Sequence, residues 1–119
     1  MTFKEKFEQL KQTYADSADL SKLTCDFAAQ ITLTDEDCHG TFYISYLGGK
    51  LAVEPYDYRD NTTAIQLSST LLEDIIQGKA NAIEAFRQGE LQAEGDPGHA
   101  LMLINALKKP KKQKKEKIT

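Results

Sequence analysis

The feature that most constrains this chain is a change of hydrophobic period at Leu67-Ser68. Up to that point apolar residues alternate with polar ones, the period of a half-buried strand. Beyond it they recur at three to four residues, the period of an amphipathic helix. Phe27, Ala29, Ile31 and Leu33 alternate with Ala28, Gln30, Thr32 and Thr34 as a first strand. Thr41 to Leu47 reads as a second, with Phe42, Ile44 and Tyr46 on one side and Tyr43 and Leu47 on the other. Gly48-Gly49 signals a two-residue hairpin, because the primed turns need positive φ. A third strand follows with Leu51, Val53 and Pro55 on one face and Glu54, Tyr56 and Tyr58 on the other. Pro55 has no N–H for a ladder, so this strand belongs at a sheet edge. After the break at Asp60-Asn61, Thr63, Ile65 and Leu67 mark a fourth.

Helices flank this block. Thr2 with Glu5 is a capping-box pattern, and Phe3, Phe7, Leu10 and Tyr14 follow at helical spacing. After the period change, Ser68 is the N-cap of a helix carrying Leu71, Leu72, Ile75 and Ile76, stopped by Gly78. Asn81 with Glu84 opens a short helix that Gly89 ends, and Leu91 and Ala93 form a short fifth strand. Glu90, Gln92 and Glu94 on that strand's other face guard an edge. Asp96-Pro97 starts a last helix through Ala100, Leu101, Leu103, Ile104 and Leu107, with cap and proline in their favoured places. Runs of strands and helices in this order give an α+β domain, a sheet with helices packed on it.

At 119 residues, 40% hydrophobic and 28% charged, the composition is that of one globular domain, residues 1–107, with a lysine-rich tail at 108–119. The tail holds seven lysines and one acid, whereas residues 1–107 hold eight basic and seventeen acidic residues, a charge of −9. An acidic body repels nucleic acid and anionic lipid alike, so contact with either runs through the tail. The tail reads first as a disordered solubilising segment, and as a contact for anionic membrane at roughly 1 kcal/mol per lysine. RNA binding there lacks an aromatic platform. No apolar run approaches the ~18 residues of a membrane span, and residues 1–10 are too charged for a secretory leader, so a cytoplasmic protein is expected.

The segment from Ile65 to Leu107 resembles the sterol carrier protein type 2 family of lipid-binding domains. The resemblance lies in Leu67-Ser68 entering a helix, in Leu72, Ile75 and Ile76, and in Gly78-Lys79 closing it. It continues through Ala85-Phe86, Gln88-Gly89, Leu91 and Glu94-Gly95-Asp96, and upstream through the hairpin at Gly48-Gly49-Lys50. It implies a five-stranded mixed, mostly antiparallel sheet in the order 3-2-1-4-5, helices on one face, and an apolar tunnel between. It implies non-catalytic binding of fatty acids, fatty acyl-CoA, phospholipids or sterols, with possible transfer between membranes and with no metal or cofactor. The chain departs from peroxisomal members, which end in Ser-Lys-Leu or a close variant, in ending Lys117-Ile118-Thr119, and it departs at Pro97-Gly98-His99, where a change at the tunnel's mouth is expected.

A tunnel is physically reasonable for such ligands. Burying a methylene gains about 0.8 kcal/mol, so a sixteen-carbon chain gains roughly 12 kcal/mol, close to what a bilayer offers it. Leaving a 300 Å3 void empty would cost roughly 7 kcal/mol. The lining is expected from Phe42, Ile44, Leu72, Ile75, Ile76, Phe86, Leu101 and Ile104, with Gln88 as a polar contact. Each of these residue types also suits an ordinary core position, and Gln88 an ordinary helix end. The rival reading is a protein-interaction or dimerisation module that keeps the fold without a lipid. An enzyme acting on acyl thioesters has only the shared ligand class behind it.

Other constellations are weaker. Asp35, Glu36, Asp37, Cys38 and His39 put five ligand types in a row, yet consecutive turn residues cannot all converge on one ion, and a solvated turn is expected. His99 reads as a surface residue of the last helix's first turn, and no serine or cysteine has a recognisable base together with an orienting acid nearby in sequence. Cys25 and Cys38, on either side of an extended strand, sit ~30 Å apart at about 3.3 Å per residue, too far for a disulfide.

Overall fold

The computed structural model describes residues 2–107, so the lysine-rich segment lies outside the described residues. The chain runs α1 (Phe3–Thr13), two short 3-10 turns at Ala15–Ser17 and Leu20–Lys22, β1 (Phe27–Leu33), β2 (Gly40–Leu47) and β3 (Lys50–Glu54). It continues as β4 (Thr63–Leu67), α2 (Ser69–Ile76), α3 (Ala82–Arg87), β5 (Gln92–Gly95) and α4 (Pro97–Leu107). The sheet order is β3-β2-β1-β4-β5. Only the central β1–β4 pair is parallel; β2 pairs antiparallel to both β1 and β3, and β5 antiparallel to β4.

The four helix starts are capped by the residues whose spacing announces them. Thr2 Oγ1 accepts the Glu5 N–H at 3.2 Å while Glu5 Oε1 accepts the Thr2 N–H at 2.9 Å. Ser68 Oγ accepts from Leu71 at 3.0 Å, Asn81 Oδ1 from Glu84 at 2.9 Å and Asp96 Oδ1 from Gly98 at 2.8 Å. Each bond occupies an N–H that the helix itself cannot use. Gly48 and Gly49 both take positive φ, 58° and 82°, as a primed hairpin turn requires.

Strand boundaries differ from the sequence reading in places: β1 ends at Leu33, before Thr34, and β2 begins at Gly40 rather than Thr41. Strand β3 ends at Glu54, because Pro55 has no N–H with which to continue the ladder; Tyr56 and Tyr58 belong to the connection that follows. That connection folds across the outer face of the sheet. The Tyr58 N–H donates to Gln30 Oε1 at 2.8 Å, and its ring lies 4.8 Å from that of Tyr43. At the other edge β5 starts at Gln92, and Leu91 precedes it as a buried core residue.

Helices cover the inner face. Phe7 of α1 lies against Phe42 of β2 at 5.4 Å between ring centroids, and α4 packs on β1, β4 and α2. The largest fully buried side chains include Phe27, Ile31, Leu33, Leu67, Ile75 and Ile76. Gln77 Nε2 donates to the Tyr14 hydroxyl at 2.7 Å, joining the ends of α1 and α2. No helix among the described residues is long and apolar enough to cross a membrane.

Candidate functional site

Two hollows lie between sheet and helices, and they differ in kind. The central one is walled by Phe7, Leu10, Phe42, Ile44, Leu72, Ile76, Leu103 and neighbours, and its free volume is about 20 Å3. That is room for a water molecule and nothing larger. The other is a groove of about 330 Å3 at the β5 edge, between β4, β5, α3 and α4. Its volume falls within the range of roughly 300–1,000 Å3 usual for small-molecule sites.

The groove exists because α3 is short and its apolar residues face two ways. Ala85 is buried against the core, while Ile83 and Phe86, three residues apart, are each 55% exposed. Across from them stand Ala100, Leu101 and Ile104 of α4, at helical spacing on one face. The floor is Ile65 of β4 with Leu91 and Ala93 around β5. Glu94 is the one charged residue in this wall. Because the groove opens to solvent, it avoids the cost of a sealed apolar void.

Past Ile83, Leu101 and Ile104 the walls turn polar. A third hollow, of about 470 Å3, is lined by these three with Ile75, Gly78, Lys79, Asn81 and Asn105. The Asn81 amide oxygen is already engaged in capping α3. The apolar groove and this polar-walled hollow share Ala82, Ile83, Leu101 and Ile104, so they adjoin.

The expected lining residues divide between these spaces. Phe42, Ile44, Leu72 and Ile76 are buried around the central hollow. Ile75 is buried and borders the polar-walled hollow, and Ile104 borders all three. Phe86 and Leu101 line the groove. Gln88 lies exposed at the end of α3, its amide donating to Glu84 Oε2 at 3.1 Å, and lines none of the three. Ile83, Leu91, Ala93 and Ala100, absent from the expected set, are in the groove wall. The sequence signal for Ile83 was the width of the apolar surface on α3, broader than one buried stripe.

The acidic turn behaves differently from a solvated loop. Asp35 Oδ1 accepts the Ser69 N–H at 2.7 Å and Oδ2 the Ser69 hydroxyl at 3.1 Å, so it caps α2 from across the chain. Burial pushes the Asp35 carboxyl upward, but the Ser69 bonds outweigh it and hold the group below the usual carboxylate range. Cys38 is buried, with Sγ 3.8 Å from the Ser69 hydroxyl, and burial foremost raises its thiol. Asp35, Asp37 and Cys38 each bring one ligand atom within 4.8 Å of the others. Cys25 and Cys38 are both free.

Fold and groove together define an α+β domain with a mixed five-stranded sheet, helices on one face and a ligand-sized apolar recess at the sheet edge. The chain belongs to the SCP-2 sterol transfer family, which matches its residues 6–108. Among solved structures it is similar to the inverting sec-alkylsulfatase Pisa1 from Pseudomonas sp., at TM-score 0.70 and 17% identity, over 81% of this chain and 15% of that one. The chain thus spans a small part of that enzyme. It is also similar to sterol carrier protein 2 from Aedes aegypti in complex with palmitate, at TM-score 0.62 and 16% identity, over 87% of this chain and 97% of that one. Sterol carrier protein 2 from Yarrowia lipolytica in its apo form follows at TM-score 0.56 and 21% identity, over 80% and 79% of the two chains. At these identities the likeness is one of fold. Comparison with curated proteins gave no sequence match.

Proposed function

We propose that this protein binds single-chain amphiphiles of the fatty-acid class, with the hydrocarbon in the groove between α3, α4 and β5 and the head toward Lys79 and Asn105. The observation that carries this reading is an open apolar groove of about 330 Å3 whose exposed wall residues are Ile83, Phe86 and Leu101. Large apolar side chains left exposed together mark a surface that something covers. The adjoining hollow beyond them supplies a cation and an amide for a carboxylate head. The similarity to a palmitate complex supports the choice of ligand class. Binding needs no nucleophile, metal or cofactor: removal of the chain from water supplies the free energy. With both cysteines free, the reading keeps the protein in a reducing, intracellular compartment. Transient contact with anionic membrane, through the lysines beyond residue 107, would let a ligand pass to and from a bilayer.

Titration with a fluorescent long-chain fatty acid tests the reading. Saturable binding by the monomer is expected, and Phe86→Asp weakens it at least tenfold while the unfolding midpoint stays within a few degrees of wild type. Unchanged binding in folded Phe86→Asp removes the groove from the account. Absence of binding, with a dimer in sedimentation whose association Phe86→Asp abolishes, favours the interaction-module reading.

A further inference from the structure

The fold brings Cys25 to His99, 74 positions along the chain, beside the first turn of α4. Cys25 Sγ lies 3.7 Å from His99 Nε2, and His99 Nδ1 lies 2.8 Å from Thr62 Oγ1. The hydroxyl of Thr62 donates to the Ala28 carbonyl at 3.2 Å. Its oxygen already accepts the Ala28 N–H at 3.1 Å, and its second lone pair accepts Nδ1–H, which leaves the lone pair of Nε2 directed toward the thiol. A ring nitrogen's role is set by the bond its partner nitrogen makes. The ring is held: it packs 6.3 Å from Phe27, and Asp96 Oδ2 stands 3.5 Å from Nε2. Nucleophile, base and orienting hydroxyl therefore occupy the relation seen in activated-thiol sites, with distances loose in the way unliganded sites are.

The thiol is also reachable. Cys25 is exposed, and a hollow of about 460 Å3 beside it is lined by Lys22, Thr24, Gly98, His99, Leu101, Met102 and Asn105. Lys22 and Asp96 are the charged groups facing this place; the Asp26 carboxylate is turned away, its Oδ1 accepting from the Gly48 N–H at 3.4 Å. Cys38, by contrast, is 2% exposed.

We propose that Cys25 and His99 form a nucleophile–base pair that captures α,β-unsaturated carbonyl compounds with a short apolar body. In the reaction the sulfur adds to the β-carbon of the acceptor as its carbon–carbon π bond opens. The thiol proton passes to Nε2 of His99 and from there to the α-carbon, so nothing leaves and no oxidant is consumed. Leu101 and Met102 supply the apolar contact. The inference does not depend on lipid binding in the β5 groove.

N-ethylmaleimide is a suitable probe, with adducts assigned to each cysteine by peptide mass spectrometry. At pH 7 the folded protein is expected to react at Cys25 alone, at least about tenfold faster than a synthetic peptide of residues 22–28. His99→Gln is expected to remove most of that gain while circular dichroism remains that of the wild type. A wild-type rate at or below that of the peptide overturns the proposal by itself, and this comparison needs no variant to fold. An unchanged Cys25 rate in folded His99→Gln overturns the role of the base.

Discussion

Leu101 stands where three hollows meet: the apolar groove, the polar-walled hollow and the one beside Cys25 all count it in their walls. At 38% exposure it contributes little to the core. Leu101→Asp should therefore change stability by less than about 1 kcal/mol in urea unfolding while weakening fatty-acid binding at least tenfold. Gly95 presents the opposite case. Its φ is 86°, and a Cβ there would collide with the backbone carbonyl of Thr62. Gly95→Ala should cost about 2 kcal/mol or more, read as a fall in the urea midpoint at unchanged slope. Part of this was legible in the sequence: Phe86 and Leu101 were expected in an apolar lining, and both stand in the groove wall. Gln88 was expected there too, but at the end of α3 its side chain turns back to Glu84. The Cys25–His99 pair was illegible, since its members touch only after β1, β4 and α4 have assembled.

Among the elements, α2 shows how local rules and distant contacts combine. Its N-cap, Ser68, follows from spacing; the second cap, Asp35, reaches it from 34 positions away and no local pattern announces it. The Asp35 carboxyl titrates lower in the folded chain than in the unfolded one, so the stability it contributes is present above the unfolded value near 4 and is lost as pH falls through the folded value. Asp35→Asn should lower stability by about 1 kcal/mol at pH 7, with the gap to wild type closing as pH falls below about 4 in parallel urea titrations. The same cap buries Cys38 beneath it. Thiol titration should therefore count one accessible thiol in the folded protein and two in denaturant. A count of two before unfolding would contradict the packing of this turn. Strand ends were less legible than helix starts: proline dictated the end of β3, but only the packing of Leu91 into the core decides that β5 begins one residue later.

For the molecule as a whole, alternation and turn chemistry were enough to order the strands' faces, and Pro55 was enough to put β3 outermost. Where the open space would fall was not readable, because core and ligand wall use the same apolar residues and differ only in how tightly helices close over them. Phe42, Ile44, Leu72 and Ile76 close over about 20 Å3, while the short α3 leaves about 330 Å3 open at the opposite edge. On the proposed function an acyl chain lies at the β5 edge, while side chains fill the centre of the domain. Methyl NMR during titration with a long-chain fatty acid tests this most directly. The predicted result is that Ile83, Leu91, Leu101 and Ile104 shift together and saturably, while Leu10, Ile44 and Leu72 stay in place. Shifts centred on Leu10, Ile44 and Leu72, with the β5 edge unmoved, would contradict it.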